Sequence, residues 1–250
     1  LILKYREYEK LRSTYIEGLK TVIVNNRVHT SYNLFGTTTG RLSSEKPNLQ
    51  NIPNKTEMGQ KIREFFVADS KHTFVIADYS QIELRVLAHL SDDKNMINML
   101  KNRDADIHSE TAAKIFNTNI DSVTKDMRRK AKEVNFGLIY GMESFGLSKS
   151  LDISKKEADE LIKAYFGQFP KIKGFLEKIV VDATKNTYTE TLYGRKRFIR
   201  ELSSSNFQVK AMGKRIAMNA PIQGTASDIM KIAMIKSVSY THLTLPTNIG

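Results

Sequence analysis

From about residue 108 to residue 199 the chain is interrupted by one proline, Pro170, and carries apolar side chains at helical spacing along most of that length. Such a stretch is predicted to be mainly helical. Residues 127–140 and 155–166 carry the pattern best, and the second opens with a capping box, Ser154-Lys-Lys-Glu157. Residues 1–19 read as helical from the i+4 spacing of Leu11, Tyr15 and Leu19. Residues 21–31 read as a pair of β-branched strands turning at Asn25-Asn26, and 36–53 as a loop rich in turn formers. The run Thr-Phe-Val-Ile-Ala at 73–77 predicts a buried strand ending at Asp78, with a helix after it capped by Ser80 and Glu83. Tyr193-Gly194 predicts a hairpin over 188–199, and 206–219 and 225–236 predict two helices divided by Pro221. No internal repeat is present.

Composition narrows the class. Hydrophobic residues at 40% and charged residues at 26% favour a globular chain over a disordered one, and 250 residues suit one large domain or two small ones. The net charge of +12 suits a nucleic-acid binder, although a solvated basic surface would give the same number. With no cysteine, disulfides, thiolate zinc sites and thiol nucleophiles are excluded. No apolar run approaches the ~18 residues that span a bilayer, and the first residues lack the form of a signal peptide. The expectation is a cytoplasmic protein without membrane contact.

Two groups of residues point to chemistry. Asp78 stands where an apolar run meets a helix start, which suits a ligand for a divalent ion in phosphoryl transfer, although an Asp before a helix is more usually a cap. Arg128, Lys132, Phe136 and Tyr140 follow at i, i+4, i+8 and i+12, which puts them on one helix face. That face offers two cations for a triphosphate and then aromatic rings for a base or sugar. An amphipathic helix with a basic outer end and a buried aromatic end has the same spacing. There is no P-loop, because Gln208 stands where the first glycine before Gly213-Lys214 would be, and this disfavours an ATPase or GTPase.

Longer motifs separate these alternatives. Asp78-Tyr-Ser-Gln-Ile-Glu-Leu-Arg85 resembles the first palm motif of the family A DNA polymerases, and Arg128-Arg-Lys-Ala-Lys132 through Asn135-Phe-Gly-Leu-Ile-Tyr-Gly141 resembles their fingers motif. Thr39-Gly-Arg-Leu-Ser-Ser44, Asn48-Leu-Gln-Asn-Ile-Pro53, Asp106-Ile-His108 and Asn219-Ala-Pro-Ile-Gln-Gly-Thr-Ala226 are similar to further motifs of the family, in the family's order, over about residues 1–236.

The resemblance implies an α+β fold of the right-hand polymerase type, with an antiparallel palm sheet, helical fingers and part of a helical thumb. In these terms 1–24 would end the thumb, 25–107 begin the palm, 108–200 form the fingers and 201–236 return to the palm. It implies addition of deoxynucleotides to a primer 3′-hydroxyl with release of pyrophosphate, in replication or repair. Asp78 and the Tyr79 carbonyl would hold two Mg2+ ions, and Glu83 would exclude a ribose 2′-hydroxyl. His108, Arg128 and Lys132 would hold the triphosphate, with Lys132 able to protonate pyrophosphate, while Phe136 and Tyr140 would line the new base pair. His108 taken alone fits a surface or capping histidine as well. Arg41, Asn48, Gln50, Asn51, Lys55, Arg215, Asn219 and Gln223 would contact primer-template DNA, where minor-groove acceptors are shared by all base pairs and allow contact without sequence choice. Deoxynucleoside triphosphates and primer-template are the implied partners of a monomer.

One departure is visible. The family carries a His-Asp-Glu turn after its last helix, whereas this chain has no Asp or Glu after Asp228, and from Ser237 to Gly250 it reads as a non-native tail. A lone Asp78 would hold two ions poorly, so the polypeptide as written is expected to be inactive or nearly so. A two-metal nuclease and a catalytically dead DNA-binding module are the alternatives.

Overall fold

In the computed structural model, residues 1–242 are described, apart from 54–55 and 103–105, with side chains described as far as 238. Lys55 lies outside the described residues. Two units form, Leu1–Tyr79 and Ser80–Gly250.

The first unit opens with α1 (Ile2–Leu11), a π-helical segment at Arg12–Glu17 and α2 (Gly18–Lys20). Leu11, Tyr15 and Leu19, the three residues that predicted this helix, are buried on one side of it, clustered with Ile62 of α3 (Glu57–Arg63). The expected hairpin is β1 (Ile23–Val24) paired antiparallel with β2 (Arg27–Val28). Its turn residues Asn25 and Asn26 both have positive φ (51° and 60°), which asparagine tolerates better than most residues and which matches the twist of the flanking strands. β3 (Ser31–Asn33) pairs with β4 (Ser43–Glu45), and the Tyr15 hydroxyl donates to the Asn51 carbonyl.

Residues 73–77 differ from expectation. They form no strand, and Phe74, Val75 and Ile76 are exposed. A β-rich run becomes a strand only when a neighbour takes up its N–H and C=O groups, and no described strand does so here.

The second unit is built from α4 (Ile82–Ser91), α5 (Lys94–Lys101), α6 (Ile107–Ile115), α7 (Lys125–Ile139), α8 (Ser144–Leu151), α9 (Lys155–Gln168) and α10 (Pro170–Asn186). The hairpin β5 (Tyr188–Glu190) and β6 (Lys196–Phe198) then leads to α11 (Phe207–His242). Its main core joins Leu84 and Leu87 of α4, Val134 and Ile139 of α7, Tyr165 of α9, Ile172 of α10 and Ile222 of α11. The class is α+β, mostly helical with small antiparallel ladders.

Local signals were partly overridden by packing. Ser80 does not cap α4: the helix begins after Gln81, which turns the chain through the left-handed region (φ 54°), and the Glu83 carboxylate is engaged with Tyr140. At α9 the Ser154 hydroxyl does accept from Glu157 N at 3.1 Å, while the Glu157 carboxylate reaches Lys130 of α7 at 2.8 Å. Asp93 caps α5 by accepting from Met96 N, and its second oxygen accepts from Lys171 N in the first turn of α10.

Pro221 does not divide the last helix. α11 runs continuously through it, although an internal proline costs a helix about 3 kcal/mol. Ala217 and Ala220 before it and Ile222 and Ala226 after it are all buried, so packing on both sides holds the axis together. The hairpin docks on α11 through Arg195, whose guanidinium donates to Asp228 (2.9 Å) and to the Gly224 carbonyl (3.0 Å), while Thr191 donates to the other Asp228 oxygen (2.7 Å).

Candidate functional site

α7 begins at Thr124, whose hydroxyl accepts from Met127 N, and it buries Ala131, Val134, Leu138 and Ile139 in the core. That choice of inner face turns the row at 128, 132, 136 and 140 outward. Arg128 and Lys132 are exposed, Phe136 is half-buried, and Tyr140, at the helix end, is exposed. An amphipathic helix with a buried aromatic end is therefore not what forms.

Arg128 is held by Asp106, the residue that starts α6. Its Nε lies 2.5 Å and a terminal nitrogen 3.2 Å from the two carboxylate oxygens. Burial alone would raise the Asp106 carboxyl. The Arg128 guanidinium, the Ser109 hydroxyl and the His108 N–H outweigh it and hold the group down at about 2. His108 is buried on the first turn of α6, with its ring 5.5 Å from the Phe136 ring. Burial lowers its pKa, the Asp106 charge opposes that shift, and the Arg128 and Lys132 charges add to it.

At the other end of the row, the Tyr140 hydroxyl donates to Glu83 at 2.9 Å, and Glu83 is buried on the first turn of α4. Gly141 follows with φ +67°, packed so closely on α11 that a Cβ there would stand 3.0 Å from Arg215 Cγ and 3.1 Å from its Cα. Arg215, Asn219 and Gln223 recur every four residues along α11. Arg215 is exposed, the other two are half-buried, and Asn219 Nδ2 is buried without a hydrogen-bond partner. The second unit thus brings together His108, Arg128 and Phe136, with the Lys132 charge acting on His108, and separately Glu83 with Tyr140 and Gly141 with Arg215.

In the first unit Arg41, Asn48, Gln50 and Asn51 are exposed around β4 and the short 3-10 turn Leu49–Asn51, where Asn48 Oδ1 accepts from Gln50 N. Asp78 and Tyr79 are exposed at the end of that unit. Among the described residues no three His, Cys, Asp or Glu side chains gather as a metal cluster, and no helix is long and apolar enough to cross a membrane.

Sequence reasoning missed Asp106 as the partner of Arg128 and Asn135 as the partner of His108. An Asp two residues before a His at a helix start signals a cap. Nothing local signals a bond reaching 22 residues ahead.

The family model described as DNA polymerase family A matches residues 1–244. DNA polymerase I of Caldicellulosiruptor bescii is 50% identical over 238 residues, covering 94% of this chain and 28% of the relative. That of Bacillus subtilis (strain 168) is 51% identical over 237 residues, with 94% and 27% covered. The thermostable DNA polymerase I of Thermus aquaticus is 47% identical, with 94% and 28% covered. Among solved structures, the POL domain of Pol1 from M. smegmatis, described as a complex with DNA primer-template and dNTP, superposes with a TM-score of 0.87 at 41% identity. That match covers 97% of this chain and 43% of the other. The chain spans roughly a quarter of the length of these curated relatives. By matched length and by identity, the chain belongs to DNA polymerase family A.

Proposed function

We propose that the chain carries the nucleotide-gripping part of a template-directed DNA polymerase, which adds a deoxynucleotide to a primer 3′-hydroxyl and releases pyrophosphate. The observation that carries this reading is the outward row of α7: two exposed cations followed by two incompletely buried aromatic rings, with His108 beside it and Glu83 at its end. Arg128 and Lys132 would bind triphosphate oxygens by charge-assisted hydrogen bonds, and Lys132 would supply the proton that pyrophosphate takes on leaving. Phe136 and Tyr140 would support the new base pair, and Glu83 would crowd a ribose 2′-oxygen. Movement of α7 over a correct pair would be the selection step. Arg41, Asn48, Gln50, Asn51, Lys55, Arg215, Asn219 and Gln223 are assigned to primer-template.

The family implies dependence on a divalent metal, and we assign Asp78 and the Tyr79 carbonyl to Mg2+. One exposed carboxylate falls short of the donors that two ions need, so the described residues do not build a two-ion site. A cytoplasmic setting and a monomeric state accompany the family reading.

Equilibrium binding of dATP to the chain and to Lys132→Ala and Arg128→Ala variants tests this without requiring turnover. Each substitution should weaken binding about tenfold or more, and equal affinities would remove α7 from the role. Incubation with primer-template, the four deoxynucleotides and magnesium separates the alternatives. Lengthening supports a polymerase, shortening a nuclease, and salt-sensitive binding without either a DNA-binding module.

A further inference from the structure

Asn135 is fully buried on the inner side of α7, one residue before Phe136, and the proposed nucleotide chemistry gives it no role. Its amide nitrogen lies 3.1 Å from Thr111 Oγ1 and 3.2 Å from His108 Nδ1. Thr111 settles which way the amide points. The hydroxyl has one proton, committed to the Ile107 carbonyl at 2.7 Å, so toward Asn135 it can only accept. Asn135 Oδ1 has no partner and is buried. Turning the amide over would bury its two N–H donors in that partnerless position and take the Thr111 proton from Ile107, which costs more than one unpaired carbonyl.

The consequence falls on the imidazole. A donor held against Nδ1 makes that nitrogen the acceptor, so the ring proton sits on Nε2. A second proton could enter only at Nδ1, where it would meet the amide N–H head on. The charged groups acting on the ring are Asp106 at the start of its own helix and Arg128 and Lys132 on α7.

We propose that Asn135 is a positioning residue that locks His108 as the neutral Nε2–H tautomer, a fixed hydrogen-bond donor for a phosphate oxygen held on the Arg128 and Lys132 face. The identity of that oxygen rests on the nucleotide reading above, whereas the lock does not. His108 then contributes direction where its cationic neighbours contribute charge. Because the donor needs no proton uptake, its service to the phosphate is independent of pH across the ordinary histidine range.

Nitrogen-15 correlation spectra of the histidine rings test the lock, with His108 assigned by the signals lost in His108→Ala. In the unaltered chain Nε2 should appear protonated and Nδ1 bare, and a bare Nε2 or an even mixture overturns the proposal. This measurement needs no variant at position 135. Asn135→Asp replaces the donor by an acceptor and should move the proton to Nδ1 and raise the titration midpoint by about one pH unit. An unchanged tautomer in a folded Asn135→Asp chain also overturns it. With dATP as probe, Asn135→Asp should bind about tenfold more weakly than the parent at pH 8 and recover toward pH 6 as the ring takes a second proton. A merely structural defect would not recover. If dATP binds with equal strength to parent and His108→Ala while the spectra show the Nε2–H form, the nucleotide reading fails at this residue and the lock stands.

Discussion

The hydroxyl of Tyr140 donates to a carboxylate oxygen of Glu83 2.9 Å away, tying the end of α7 to the first turn of α4 across 57 positions of sequence. Glu83 is buried, so its carboxylate depends on protein donors. Tyr140→Phe removes one such donor and little volume. The expected cost is about 1–3 kcal/mol, measured as a lowered urea midpoint with an unchanged slope, and an unchanged midpoint would mean that the tie contributes nothing to stability.

Phe136 differs from tyrosine only by a hydroxyl at the half-buried centre of the outward row. If its ring supports the sugar of an incoming nucleotide, Phe136→Tyr should ease the use of dideoxynucleotides. The check, which needs no turnover, is the affinity for ddATP relative to dATP, and an equal ratio in mutant and parent would place Phe136 away from the sugar.

Acid should weaken the second unit in two stages. His108 has a lowered pKa in the fold, chiefly through burial, so the unfolded chain binds its proton first. Its stabilising contribution is present above the ordinary value of 6.5 and lost as pH falls below it. The Asp106 carboxyl, held at about 2 against an ordinary 3.8, contributes above 3.8 and loses that contribution as pH falls toward 2. Urea midpoints measured against pH should therefore decline through both windows. Asp106→Asn should flatten the lower one, and a curve of the same shape in that variant would contradict the Arg128 pairing.

Gly141 has no room for a side chain. Its φ of +67° disfavours any other residue, and a Cβ would press on the Arg215 backbone at 3.1 Å. Gly141→Ala should cost roughly 1–3 kcal/mol, visible as a fall in thermal midpoint, whereas Gly174→Ala, where an added Cβ meets nothing within 4 Å, should be neutral or mildly stabilising. Comparable effects at both positions would show that the close approach to α11 is unimportant.

Sequence and structure agree where the deciding interaction is short in range. Leu11, Tyr15 and Leu19 marked a buried helical side, Asn25-Asn26 marked a hairpin turn, and Ser154 marked a helix start, each through neighbours a few positions away. They part where distant residues decide. Pro221 should have broken a helix, but buried residues on either side carry α11 through it. Residues 73–77 have the composition of a strand and no described strand beside them. The α7 row was legible from its spacing of four, but not its supports, since Asp106 and His108 reach it from more than 20 positions away. Spacing reports which side chains share a side of one helix and carries no information about what stands opposite.

Asp93 makes the same point in another form. One carboxylate accepts from Met96 N with one oxygen and from Lys171 N with the other, so the beginnings of α5 and α10 hang from a single side chain. Neither can unravel at that end without disturbing the anchor of the other. A change of one atom, from carboxylate to amide, would loosen a joint in the scaffold rather than a single thread.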